Sequence, residues 1–243
     1  MPLEIAAFNI ESALTAAVAG ADRIEFCANV HLGGTTPSLS DFKLLKKSLR
    51  RLGGAAGLIP VYVMIRPRGG GFVYTKDEVG RMEEEMRGFM GLGVEEGRPD
   101  GFVFGILGRE GGIDGEGCGA LLALAGTGGR CCCTFHRAFD DVPVGKRGEA
   151  VEEILGLGFK GILTSGGAAD AGGGREVLKE LVGRVRGRGC EIIVGGGVRS
   201  GNLEGLREGV GARWWHSSAD VEGRGKADGQ EVKRLVEMVG SRD

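Results

Sequence analysis

Short apolar runs alternate with amphipathic stretches from one end of the chain to the other. Leu3–Phe8, Arg23–Cys27, Val61–Arg66, Gly101–Leu107, Cys131–His136, Gly161–Ser165, Glu191–Gly195 and Arg213–Ser217 have the length and composition of strands. Between them, apolar residues return every three or four positions. Leu39, Phe42, Leu45, Leu49 and Leu52 form one stripe behind Ser38 and Asp41, and Val79, Met82, Met86 and Phe89 form another behind Thr75 and Glu78. Both openings have the spacing of a helix capping box, and so do Asp228 and Glu231 before Val232, Leu235, Val236 and Val239. The fourth helix, around Ala120–Leu124, is weakened by Gly115, Gly117 and Gly119. Gly53–Gly57 and Val94–Arg98 read as loop insertions.

Eight strand–helix units predict an α/β fold: an eight-stranded parallel (β/α) TIM-type barrel in which each helix covers the strand before it. Such barrels run to about 250 residues as one unit, so residues 1–243 are expected to form a single domain. An open, doubly wound sheet would fit the same alternation. Against it, the first strand runs into Asn9–Ile10–Glu11–Ser12, which has no glycine and hence no dinucleotide fingerprint.

Composition and charge narrow the partners. The chain is 42% hydrophobic and 26% charged, and 31 basic against 33 acidic residues leave a net charge of −2. No basic block stands out and no apolar run reaches membrane-spanning length, so neither nucleic acid nor a membrane is an expected partner; an oligomer is left open. The start, MPLEIAAFNIES, has no basic segment before an apolar one and does not read as a signal peptide. Six cysteines without regular spacing then read as reduced thiols in a cytoplasmic protein. The 49 glycines gather between the predicted elements, as expected of many sharp connections.

In a barrel, strand residues alternate between lumen and helices, and the C-terminal strand ends carry function. Ile24 and Phe26 should therefore pack on helices while Arg23, Glu25 and Cys27 face the lumen. Val61, Val63 and Ile65 should point outward, and Tyr62, Met64 and Arg66 inward. Cys132, Thr134 and His136 share one face, Cys131, Cys133 and Phe135 the other, so the three consecutive thiols cannot converge on one ion. Arg213 and Trp214 resist such an assignment. The strand ends collect Glu25, Cys27, Arg66, Arg68, His136, Arg137, Asp140, Ser165, His216, Ser217 and Ser218. Glu25, Arg66 and His136 are the catalytic candidates, with His136 as acid or base on an anionic substrate. A structural role, with Arg66 paired to Glu25, would explain any one of these residues equally well. The set together favours a binding site.

Gly195–Gly196–Gly197–Val198–Arg199–Ser200 lies between a strand and a helix, where bare N–H groups can meet a phosphate. Arg68, Gly196, Gly197, Ser217 and Ser218 are accordingly the candidate anion-binding residues, and a small anionic ligand is the expected partner. A tight turn needing small residues is the competing explanation of the glycines. Cys27 is the best-placed thiol and the one candidate metal ligand, with His136 and His216 as companions. No zinc, metalloprotease or calcium pattern is present.

Several of these segments carry a resemblance. Gly20–Ala21–Asp22–Arg23–Ile24–Glu25–Phe26–Cys27, Gly33–Gly34–Thr35–Thr36–Pro37–Ser38, Ile65–Arg66–Pro67–Arg68–Gly69–Gly70 and Thr134–Phe135–His136–Arg137–Ala138–Phe139–Asp140 resemble the CutC copper-homeostasis family. So do Asp100–Gly101–Phe102–Val103–Phe104–Gly105, Leu163–Thr164–Ser165–Gly166, the glycine loop and His216–Ser217–Ser218–Ala219. The resemblance implies a barrel, a cytoplasmic location and a part in copper homeostasis, with copper as the implied bound ion. Cu(I) wants converging soft sulfur donors, yet the shared motifs hold one cysteine, Cys27, among residues suited to an anion. Three functions therefore stand side by side: a copper-binding homeostasis protein, an enzyme on a small phosphorylated or carboxylated metabolite, and a non-catalytic protein binding such a metabolite at the barrel mouth.

Overall fold

The computed structural model describes residues 1–93, 95–126 and 131–240. Each apolar run forms a short parallel strand: β1 (Leu3–Ala7), β2 (Arg23–Phe26), β3 (Val61–Met64), β4 (Gly101–Phe104), β5 (Cys132–Phe135), β6 (Gly161–Thr164), β7 (Glu191–Val194) and β8 (Trp214–Ser217). They pair in sequence order, and β8 pairs back onto β1 to close the barrel. The closure excludes the open doubly wound sheet.

Alternation decides what each strand residue meets. Ile24, Phe26, Val61, Val63, Ile65, Cys133 and Phe135 join the large core between strands and helices, with Cys131 packed at its edge. Tyr62, Met64, Val103 and Cys27 form a separate cluster inside the barrel, and Cys132 packs against it. Trp215 is fully buried in the outer core. Trp214, one position earlier, stacks on the Arg23 guanidinium, 4.0 Å from ring centroid to Cζ, while Tyr62 stacks on it at 4.2 Å. This sandwich resolves the orientation of Trp214.

The helices are α1 (Ile10–Val18), α2 (Leu39–Leu52), α3 (Gly54–Gly57), α4 (Lys76–Met90), α5 (Gly115–Gly126), α6 (Arg147–Leu157), α7 (Arg175–Val185), α8 (Ser200–Val210) and α9 (Gly229–Gly240). The capping residues act where the spacing places them. Ser38 accepts from the Asp41 N–H, Thr75 and Glu78 form a reciprocal box, and Asp228 accepts from the Glu231 N–H. The glycine-weakened α5 forms because Cys118, Leu121 and Ala125 are buried and Asp114 accepts from the Gly117 N–H. The Gly53–Gly57 insertion contains the single turn α3 rather than being all loop. Of the Val94–Arg98 insertion, Val94 lies outside the described residues, and Arg98 ties its far end down by donating to the Leu92 carbonyl. Among the described residues, no helix is long and apolar enough to cross a membrane.

Candidate functional site at the barrel mouth

At the C-terminal ends of the strands lies a cavity of about 260 Å³. Glu25 reaches it from β2 and Cys27 from just beyond it, Arg66 from beyond β3, His136 from just beyond β5, Gly196 and Gly197 from the loop after β7, Ser217 from the end of β8 and Ser218 from just beyond it. Phe8, Met64 and Phe72 supply apolar walls, and Arg137, Arg199 and His216 complete the polar ones.

The rim is built for negative charge. Gly196 and Gly197 have φ of 91° and 73°, a region that disfavours side chains, and their N–H groups donate to no acceptor among the described residues. Next to them begins α8, whose first N–H and Ser200 hydroxyl are already taken by the Glu231 carboxylate, so the positive charge at the rim comes from side chains. Arg199, the residue before α8, donates to the Ser217 and Ser218 hydroxyls and to the Val198 and Asp220 carbonyls. Ser217 is committed inward, since its hydroxyl donates to the Val198 carbonyl at 2.7 Å. Arg66 donates from Nη1 to the carbonyls of Leu32, Gly33 and Gly34 and from Nη2 to that of Gly70. Among the described residues, neither Arg66 nor Arg199 pairs with a carboxylate, so the charge of both guanidiniums is uncompensated.

The floor is a chain of buried ionisable groups, set in place by strand register. Glu4 lies beside Arg23 on one side and His216 on the other, and Ala6 lies beside Glu25. Glu4 accepts from Arg23 Nε at 2.5 Å and from His216 Nδ1 at 2.7 Å. Burial pushes the Glu4 carboxyl up, but Arg23 and His216 outweigh it and hold it down at about 2. His216 Nε2 stands 3.8 Å from Glu25 Oε2, ion-pair range but beyond a hydrogen bond. Burial lowers the His216 pKa, and the carboxylates of Glu25 and Glu4 more than reverse it, so the imidazole binds its proton more tightly than usual. Burial pushes Glu25 up to about 7, against the pull of His216. Cys27 Sγ donates to Glu25 Oε2 at 3.6 Å, and burial together with that carboxylate raises the thiol well above its ordinary pKa.

His136 differs from the acid or base expected of it. Its Nδ1 accepts the Ala138 N–H at 3.2 Å, which leaves the ring proton on Nε2. Burial, reinforced by Arg66, lowers its pKa to about 3. It is therefore a neutral donor at ordinary pH. The Phe72 ring brings it together with Arg66, with centroids 4.9 Å apart for His136 and 4.7 Å from Arg66 Cζ to the ring.

Three corrections follow from placement. Arg68 does not line the cavity. It pairs with Glu78 at 2.5 Å, stacks over Tyr74 and donates to the Gly69, Gly71 and Val73 carbonyls, because the strand has ended before Pro67 and alternation no longer governs direction. Arg66 is not paired with Glu25, and its outer nitrogens hold loops, leaving Nε alone free. Arg137, Asp140 and Ser165 form a brace, with Asp140 accepting from Arg137, Thr164, Ser165 and Gly167. Two participants escaped the sequence reading, Glu4 and Arg199. A carboxylate between Leu3 and Ile5 in an otherwise apolar strand was the available signal for Glu4. For Arg199 it was a guanidinium directly before a helix.

The cavity is a poor copper site. Among the described residues, no three His, Cys, Asp or Glu side chains are grouped to hold a metal ion. Cys27 is a tightly held thiol rather than a thiolate, and the sulfur lining the cavity with it is the thioether of Met64.

Comparison with known proteins agrees with this architecture. The family model described as "CutC family" matches residues 1–221. The human "Copper homeostasis protein cutC homolog" is 40% identical over 219 residues, 89% of this chain and 72% of the human protein. A CutC family protein of Xanthomonas campestris pv. campestris (strain B100) is 39% identical, over 90% of this chain and 83% of its own. The crystal structure of the putative copper homeostasis protein CutC from Streptococcus agalactiae superposes with a TM-score of 0.78 at 33% identity, covering 90% of this chain and 98% of that one. Phosphoribosyl anthranilate isomerase from Thermus thermophilus (TM-score 0.58, 16% identity, 98% of this chain and 100% of that one) shares the fold alone. On the family model, the identity to its relatives and the shared barrel, this chain belongs to the CutC family.

Proposed function

We propose that this protein serves copper homeostasis, as the names of its relatives say of them, through a small anionic ligand bound at the barrel mouth rather than as a carrier of copper itself. One observation carries the reading. Three buried polar atoms from three strand ends, Glu25 Oε1, Arg66 Nε and His136 Nε2, belong to residues that line one cavity, and none has a partner. Leaving such a group unsatisfied costs roughly 1–3 kcal/mol, so a built cavity with three of them calls for a ligand. The uncompensated guanidiniums of Arg66 and Arg199 and the glycine N–H groups favour an anion. The donor set argues against tight copper binding at Cys27. A reducing, cytoplasmic setting belongs to the same reading, since all six cysteines are free thiols.

The test is copper tolerance in a host lacking its own CutC relative. Wild type and Cys27→Ser, which keeps a donor toward Glu25 but removes the sulfur, should both restore tolerance. Gly197→Asp, which places a like charge at the anion site, should not. Restoration by Gly197→Asp together with failure of Cys27→Ser would replace this reading with a copper site at the thiol.

A further inference from the structure

The floor of the cavity has more chemistry than holding an anion requires. A site that only binds has no need of a carboxyl with one unpartnered oxygen among residues that bring two unpartnered donors to the same cavity. Glu25 Oε1 is that oxygen, and His136 Nε2 and Arg66 Nε are the donors, held side by side against Phe72. We propose that the protein is a proton-transfer enzyme in which Glu25 takes a proton from the carbon beside the carbonyl of a small phosphorylated compound, while His136 and Arg66 hold the carbonyl oxygen. The inference rests on the reading of the mouth as an anion site, which supplies the place for the phosphate at Gly196, Gly197, Ser218 and Arg199.

The step balances within the site. The C–H bond breaks and an O–H bond forms on Glu25. The C–H electron pair becomes the carbon–carbon double bond of an enolate, and the carbonyl π pair moves onto oxygen. The two N–H donors stabilise that charge where it develops, in a pocket walled by Phe8, Met64 and Phe72. Reversal returns the proton to carbon, and no oxidant or second reactant is needed. The groups facing Glu25 fit this role. His216 on β8 offers positive charge at 3.8 Å, and Glu4 on β1 fixes its ring orientation by accepting from Nδ1. Arg23 lies on the same strand, its charge committed to Glu4, Cys27 donates to the other Glu25 oxygen, and Tyr62 is the register neighbour on β3. Burial that sets Glu25 near 7 poises it for exchange at neutral pH, and a neutral His136 is a donor that does not compete for the proton. His216 and Glu4 are positioning residues.

The experiment is deuterium wash-in from D2O, followed by proton NMR, with dihydroxyacetone phosphate, glyceraldehyde phosphate and ribulose phosphate as probes. Binding of each probe is measured in parallel by calorimetry. At least one probe should bind and exchange its carbon-bound proton. Glu25→Gln should retain that binding and lose exchange by at least about 100-fold, and Glu25→Asp, which sets the base back, should fall between. His216→Gln should move the acidic limb of the rate–pH profile upward, because it removes the positive charge that holds Glu25 down; a purely structural role would lower the rate without moving that limb. A probe that binds but exchanges no faster with wild type than with Glu25→Gln overturns the proposal and leaves the anion site standing. If neither the probes nor inorganic phosphate binds, both readings fall together.

Discussion

Glu25 keeps a carboxyl group in a place that disfavours its charge, and stability should register that fact. Its folded pKa, about 7, lies above the 4.5 of an ordinary glutamate. Between those values the native state holds a proton that the unfolded chain has released, so its contribution to stability falls as pH rises across that window and stays low above it. Glu25→Gln removes the titration. The variant should match wild type below about pH 4.5 and exceed it above about pH 7 by up to about 3 kcal/mol, read as a difference in Tm that grows with pH. A Tm difference that is flat or shrinks with pH would show that Glu25 is not held protonated by burial. Glu4 has the opposite sign: lowered to about 2, it contributes stability that is present above about 4.5 and lost as pH falls. At this scale alternation made Glu25, Arg66 and His136 legible, because it depends only on position along a strand. It failed at Arg68, beyond the strand end. It also could not reveal that Ala138 occupies His136 Nδ1, or that four loop carbonyls occupy the outer nitrogens of Arg66. Those partners come from folded loops with no spacing signature.

The loop between β7 and α8 sets the rim of the site through its backbone. Gly197 has positive φ, and a Cβ built there would meet only the Cβ of Asp170, at 3.4 Å. Gly197→Ala therefore tests strain alone, at a cost of about 1–2 kcal/mol, with room left for a ligand. Phosphate affinity measured by calorimetry should change no more than a few-fold in Gly197→Ala and fall on the order of 100-fold in Gly197→Asp, where like charges meet. Equal affinity in all three proteins would reduce the glycines to a turn. Among the other elements, the boxes at Ser38 and Thr75 were legible because a cap is a local bargain between a side chain and an N–H three residues on. The fourth helix was harder to read. Its glycines lower local propensity, and the burial of Cys118, Leu121 and Ala125 that rescues it depends on neighbouring elements.

For the molecule as a whole, eight strand–helix units were enough to predict a barrel, since each unit covers one strand and the pattern has no interruption. Closure itself is a long-range event between Leu3–Ile5 and Trp215–Ser217, and it is what brings Glu4 beside His216. A residue whose partner lies some two hundred positions away leaves little trace in local pattern, which is why Glu4 was passed over. The same closure gathers the ends of β2, β3, β5, β7 and β8 around one cavity, whose lining includes Arg66, His136 and Arg199. The most direct test is a crystal of the protein soaked in inorganic phosphate, with difference density read at the mouth. The account predicts a phosphate against the Gly196 and Gly197 N–H groups, within reach of Ser218 and Arg199. Phosphate bound elsewhere on the surface, with only water at the mouth, would contradict it.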